Sequence, residues 1–263
     1  MSPRLPTTTT LPQWLRRRAR LWPDAPALVD GLGGACYSHA ALDHLVGRCA
    51  AGLAALGFGP GDVLLMLAAN APEWPIVALA ALAAGGAVCG ANPGCGTHQL
   101  RGQLHALKAR HAFTTPDLLA PLRSATAAVG PVALIVLGEA EDTVSFTTLL
   151  ACADAEPGAR AGRDSLAWLG AEPASGCARQ ALRLTHGQVI EQILQLRLTQ
   201  RLEADAVTMA LQPMGQLAGF VQGALAPLAQ GAAVVTLPSF EPERVAQAQA
   251  RHRVTHLLLD PSA

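Results

Sequence analysis

Apolar and polar residues follow two rhythms along this chain, one of helical spacing and one of short unbroken apolar runs. Between Leu11 and Trp22, apolar residues at 11, 14, 15, 21 and 22 are separated by arginines, which predicts a short amphipathic helix. Pro23, Asp24 and Pro26 end it, and Ala27-Leu28-Val29 starts a strand. Tyr37-Ser38 precedes a predicted helix over His39–Leu56, where Leu42, Leu45, Val46, Cys49, Leu53 and Leu56 recur at helical spacing. Gly57, Gly59, Pro60 and Gly61 supply the stop and turn. Val63–Leu67 is a continuous apolar run, the mark of a strand covered on both faces. Pro75–Ala91 is also strongly apolar. Pro75, Gly85 and Gly86 interrupt it, and it is short for a membrane span, so it reads as a buried helix, Glu73–Ala84, running into a strand, Ala87–Ala91.

The alternation continues with a helix over Thr97–Ala109, a strand at Ala112–Thr114, a helix over Pro116–Ala128 and a strand at Ala133–Leu137. Gly138–Asp164 is polar and irregular, a boundary between two units, 1–160 and 161–263. In the second unit a polar loop at 170–181 leads to a helix over Gly187–Arg201 and a strand at Ala206–Leu211. A helix at 217–229, a strand at Ala232–Leu237, a helix over Pro242–His252 and a strand at Thr255–Leu259 complete it. Strands alternating with helices predict an α/β fold with mostly parallel sheets flanked by helices.

Composition narrows the partners. Hydrophobic residues make up 51% and charged residues 14%, which excludes a disordered chain. Nineteen basic and nineteen acidic side chains cancel, giving no bulk attraction to nucleic acid or to an anionic membrane. Lys108 is the only lysine, so any step that needs an ammonium group has one candidate. The six cysteines contain no CxxC pair, so neither a zinc ribbon nor a thioredoxin-like motif is supported. His252 and His256, four apart, could share a helix face but have no evident third metal ligand. Residues 1–22 carry five arginines and no acid before Asp24, yet no apolar stretch of a secretory signal follows, and a cytoplasmic location is expected.

Several segments in order resemble the adenylate-forming superfamily, in particular acyl-CoA synthetases and 4-coumarate–CoA ligases. They are Pro23-Asp-Ala-Pro-Ala-Leu-Val-Asp30, Ala51-Gly-Leu-Ala-Ala-Leu-Gly57 with Pro60-Gly61-Asp62-Val63, Asn70-Ala-Pro-Glu-Trp74, and Ala91-Asn92-Pro93. Gly231-Ala-Ala-Val-Val-Thr-Leu-Pro238, Phe240-Glu-Pro-Glu-Arg244 and Arg253-Val-Thr-His256 follow in the later part. The resemblance implies a chain corresponding to an incomplete N-terminal domain, without the C-terminal lid domain. The family's adenine-binding, ribose-binding and catalytic-lysine segments would fall beyond Ala263. It further implies ATP and Mg²⁺ for forming an acyl-adenylate, and coenzyme A as the thiol acceptor.

In such enzymes a loop of the form SSGTTGxPKG lies just before Leu-Thr-His, here Leu184-Thr185-His186. Its glycines let backbone N–H groups close on phosphate, and its lysine adds charge. Counting back without gaps, the loop positions are Glu172, Pro173, Ala174, Ser175, Gly176, Cys177, Ala178, Arg179, Gln180 and Ala181. Pro173 removes a donor, and Ala174, Cys177 and Ala181 add Cβ atoms. Glu172 adds negative charge, and Gln180 replaces the ammonium. A short deletion would instead align Ser175-Gly176 with the family's Ser-Gly and let Arg179 supply the charge. The candidate phosphate-loop residues are thus Ser175, Gly176, Arg179, Gln180 and Thr185. Where many relatives read Pro-Leu-Phe-His, this chain has Pro213-Met214-Gly215-Gln216, with Gly219 kept. Met214, Gly215, Gln216 and Gly219 are therefore the candidate acid-pocket residues.

These departures lead to an expectation of an acid–thiol ligase relative that is inactive or incomplete, a pseudoenzyme as it stands. The alternative is a non-catalytic module that binds an acyl ligand or a partner chain, and a decayed product is the third reading. The resemblance implies a carboxylic-acid ligand. An uncovered sheet edge would call for a complementary polypeptide or a second copy.

Overall fold

The computed structural model describes residues 9–153, 161–170 and 182–258. Its first elements are α1 (Leu11–Ala19), the hairpin strands β1 (Pro26–Asp30) and β2 (Cys36–Ser38), and α2 (His39–Ala55). Next come β3 (Val63–Leu67), α3 (Glu73–Ala83), β4 (Ala87–Gly90), α4 (Thr97–Leu107) and β5 (His111–Thr114). A 3₁₀ turn at Pro116–Leu118 leads into α5 (Leu119–Thr126) and β6 (Ala133–Val136). The stretch expected to be irregular holds a short strand, β7 (Val144–Ser145), and one helical turn, α6 (Phe146–Leu149). Beyond it lie β8 (Leu166–Gly170), β9 (Leu182–Thr185), α7 (His186–Thr199) and β10 (Val207–Ala210). The expected helix at 217–229 is broken into α8 (Leu217–Phe220), a wide π-type turn at Val221–Leu225 and α9 (Ala226–Leu228). The last elements are β11 (Ala233–Thr236), α10 (Pro242–His252) and β12 (His256–Leu258).

Twelve described strands form two sheets, ordered β7-β6-β5-β3-β4-β8-β9 and β12-β10-β11-β1-β2. Neighbours are parallel except for the β1/β2 and β8/β9 pairs. Sheet membership does not follow chain order. β1 leaves the N-terminal part of the chain and pairs with β11, matching Leu28 to Val234, while β8 joins β4 through Val88 and Trp168.

The layering follows from which strand faces carry apolar side chains. Leu64 and Met66 of β3 point into a central core shared with α2, α3, α7 and the second sheet's Leu28 and Val234. Val63, Leu65 and Leu67 point the other way, onto Leu100 and Leu104 of α4 and Leu122 of α5. On the far side, Val235 and Met209 meet Val245 and Ala248 of α10. The order is therefore helices, sheet, helices, sheet, helix. This explains why α3 is apolar all round: as part of the middle layer, every residue from Trp74 to Ala83 is buried. His252 closes α10 and His256 lies on β12, so the two histidines do not share a helix face. Among the described residues no group of three or more His, Cys, Asp or Glu side chains could hold a metal ion. No described helix is long and apolar enough to cross a membrane.

Candidate functional site

The parallel strands of both sheets bring their C-terminal ends together. Ala68-Ala69-Asn70 follows β3, Ala91-Asn92-Pro93 follows β4, Leu211-Gln212-Pro213 follows β10 and Leu237-Pro238 follows β11. These segments border two adjoining hollows of about 440 Å³ and about 400 Å³, and Asn92, Pro93 and Pro213 line both. Open α/β sheets bind ligands at this end of their strands.

Two devices join the sheets there. Asn70 is buried, and its Oδ1 accepts from the Met214 backbone N–H at 2.7 Å. Its Nδ2 donates to the carbonyls of Gln212 at 2.8 Å and Ala210 at 3.3 Å. The second is a contact between glycines: a Cβ on Gly90 would overlap the Gly215 carbonyl, and one on Gly215 would stand 2.9 Å from the Ala91 carbonyl oxygen. Only two residues without side chains allow these backbones to approach so closely. A tight turn shapes the rim, with Asn92 Oδ1 accepting from Gly94 N–H and the Asn92 carbonyl accepting from Cys95 N–H, each at 2.9 Å. Burial raises the pKa of the Cys95 thiol, which keeps it protonated.

The residues singled out from sequence occupy different positions. Gly215 and Gln216 line the larger hollow. Met214 is fully buried in the central core, and Gly219 lies where a Cβ would overlap the Pro213 carbonyl. Thr185 caps α7: its Oγ1 accepts from Gln188 N–H at 3.3 Å while Gln188 Oε1 accepts from Thr185 N–H at 2.9 Å. Ser175, Gly176, Arg179 and Gln180 lie outside the described residues. The strand ends on either side of that segment, Gly170 and Leu182, are register partners and both line the hollow. Sequence reasoning missed Asn70, Gly90 and Trp168 as parts of this site. An isolated glycine within an apolar strand was the available signal for Gly90, and a lone amide after an apolar run was the signal for Asn70; Trp168 offered none.

Every described residue lining the two hollows is apolar or neutral, with amides from Asn70, Asn92, Gln99, Gln103 and Gln216 and one hydroxyl from Ser239. The described lining by itself offers neither a cationic side chain nor a carboxylate for a nucleoside triphosphate and its divalent cation. It fits an uncharged or weakly polar molecule.

Residues 15–173, more than half of the chain, match the family model described as "AMP-binding enzyme". The chain belongs to that family. It is 27% identical to 4-coumarate–CoA ligase 3 of Oryza sativa subsp. japonica over 88% of its own length and 42% of the relative's. It is 29% identical to sulfoacetate–CoA ligase of Cupriavidus necator over 96% of its length and 50% of that protein. Among solved structures it superposes on apo MbtA of Mycobacterium smegmatis with a TM-score of 0.86 and 26% identity, covering 97% of this chain and 49% of that one. The inhibitor-bound N-terminal domain of FACL13 from Mycobacterium tuberculosis gives a TM-score of 0.85 at 20% identity, covering 96% of this chain and 63% of that one. The fold is thus that of the N-terminal domains of adenylate-forming enzymes, and the chain spans about two fifths to one half of the curated relatives named here.

Proposed function

We propose that this chain retains the acid-binding part of an AMP-forming acid–thiol ligase and does not itself form the acyl-adenylate. The observation that carries this reading is the neutral lining of the hollows at the joined strand ends. Its described residues accommodate the body of an organic acid and carry no charge to set against phosphates. The sequence supports the same reading: counted without gaps, Glu172, Pro173 and Gln180 stand where the family has two hydroxyls and a lysine, whereas a short deletion would let Arg179 supply the charge. In this family the protein's part in adenylation is to hold phosphates and neutralise charge, so losing those groups slows the step by orders of magnitude. No step through ATP, Mg²⁺ or coenzyme A is assigned to these residues.

The chain alone, given an organic acid, ATP and Mg²⁺, is expected to show no acid-dependent exchange of pyrophosphate into ATP while still binding the acid. Robust exchange would overturn the proposal. A second reading is a ligase active only together with a polypeptide equivalent to the rest of its relatives, of whose length this chain spans 42% to 50%. It predicts exchange only when a polypeptide equivalent to the relatives' remaining half is added.

A further inference from the structure

One end of the molecule gathers charges that the strand-end site does not use. α1 and α7 pack against each other and run in the same direction. At their starts the Leu11 N–H donates to His186 Nδ1, and at their ends Arg18 lies within electrostatic reach of Arg197. Arg18 is held in place: its Nε donates to the Ala229 carbonyl at 2.9 Å, and its guanidinium stands 5.4 Å from the centre of the Trp22 ring. Arg197 has no such support, its Nε being shielded from solvent and unpaired. Burial, and after it the charge of Arg197, lowers the Arg18 pKa, the mark of two cations brought together with no anion between them. Arg17 in α1, Arg20 just after it and Arg201 just after α7 are exposed. Leu202 fixes the chain beside Arg201, its N–H donating to Gln230 Oε1 at 3.3 Å, next to the Ala229 that holds Arg18. No described carboxylate pairs with these arginines. Asp24, Glu203 and Asp205 are exposed on the loops that enter β1 and β10. Among the arginines stand two protruding apolar side chains, Leu21 at 59% exposure and Leu198 in the last turn of α7 at 68%.

We propose that this end docks peripherally on an anionic lipid surface, with the arginines on headgroup phosphates and Leu21 and Leu198 dipped into the apolar layer beneath. Cations beside protruding leucines match a partner that is anionic at its surface and apolar just below it. Free phosphate or a polynucleotide supplies the charge but nothing for the leucines. A second copy meeting this end face to face would set arginine against arginine. The chain as a whole carries no net charge, so the attraction belongs to this end and fades within a Debye length of the surface. No described helix is long and apolar enough to cross the bilayer, so the contact is with one leaflet.

The test is sedimentation of the full chain with sucrose-loaded vesicles, made either of phosphatidylcholine alone or of phosphatidylcholine and phosphatidylglycerol in equal parts. The chain is expected to pellet with the anionic vesicles, to stay in solution with the neutral ones, and to be released by salt. Arg20→Gln is expected to weaken partitioning about fivefold, and Leu198→Ser to weaken it several-fold. Both side chains are exposed, so neither change disturbs the core. Leu198→Trp supplies a second measurement, since its added emission shifts to the blue on anionic vesicles as the indole leaves water. Equal pelleting with both vesicles or with neither, or anionic binding that both variants leave unchanged, overturns the proposal. Binding to poly-glutamate as strong as to anionic vesicles, and equal in the parent and Leu198→Ser, overturns it in favour of an acidic polypeptide. Release from the vesicles by inorganic phosphate at the same phosphate concentration overturns it in favour of a simple anion site. The acid-site reading stands apart from all of these outcomes.

Discussion

Asn70 holds Met214 by its backbone: the side-chain carbonyl on the loop after β3 accepts the Met214 N–H at 2.7 Å, across the junction of the two sheets. The same side chain donates to the carbonyls of Ala210, which ends β10, and Gln212 just beyond it, so one amide serves three backbone groups. Asn70→Ala leaves a buried N–H and at least one carbonyl unpaired, and an expected loss of about 2–4 kcal/mol follows. Asn70→Asp keeps the acceptor but sets a carboxylate against the carbonyls of Ala210 and Gln212, so it is no rescue. Urea unfolding of the three proteins checks this, and a loss below about 1 kcal/mol for both variants would contradict it.

The contact between Gly90 and Gly215 predicts contrasting outcomes for two glycine-to-alanine changes. Gly90→Ala drives a methyl group into the Gly215 carbonyl and is expected to cost about 2–3 kcal/mol and to weaken acid binding. Gly102, within α4, has nothing within 4 Å of its Cβ position and no positive φ, so Gly102→Ala gains about 1 kcal/mol from helix propensity alone. Thermal melts of the two variants beside the parent should move in opposite directions.

How much of this was legible in the sequence depends on where each residue finds its partner. Val63–Leu67 and Pro242–His252 were readable to the residue, because an unbroken apolar run and a proline-initiated amphipathic turn are local signals. The hairpin strand β2 and the strands β8 and β9 were not named. Cys36–Ser38 and Leu182–Thr185 are short and only partly buried, and Leu166–Gly170 becomes a strand by pairing with β4 and β9. The site was legible in part. Gly215 and Gln216 stood out by departing from a pattern, whereas Met214, their neighbour in sequence, turns its side chain into the core. Trp168 could not be found from sequence, since its packing against Trp74 and Phe220 forms only in the fold.

Thr185, a candidate phosphate-loop residue by sequence, stands in a reciprocal cap with Gln188 at the start of α7. Thr185→Ala is therefore expected to lower stability by about 1 kcal/mol, and Thr185→Ser by no more than a few tenths. Gln188→Ala removes the return bond to the Thr185 N–H, exposed like its counterpart, and should cost no more than Thr185→Ala. Denaturant midpoints for the three variants decide the point. Equal losses for alanine and serine would indicate that the methyl group matters rather than the cap.

His186, the next residue, ties α7 to the start of α1, with its Nδ1 accepting the Leu11 backbone N–H at 3.2 Å. That bond requires the imidazole to be neutral, with its proton on Nε2, and burial pushes the pKa down to about 4. Unfolded, the ring titrates near 6.5, so between those values the unfolded chain binds a proton that the folded one does not. Stability contributed by the neutral ring is full above about 6.5 and falls as the pH drops towards 4, by on the order of 3 kcal/mol in all. Burial also lowers the pKa of His39, partly offset by the Gly231 carbonyl, so this ring adds to the acid loss in the same direction. In His186→Asn the side-chain oxygen can still accept from Leu11, but the titrating group is gone. Stability measured by urea from pH 7 to pH 4.5 should therefore fall less steeply in the variant than in the parent. Parallel curves would show that the acid loss arises elsewhere.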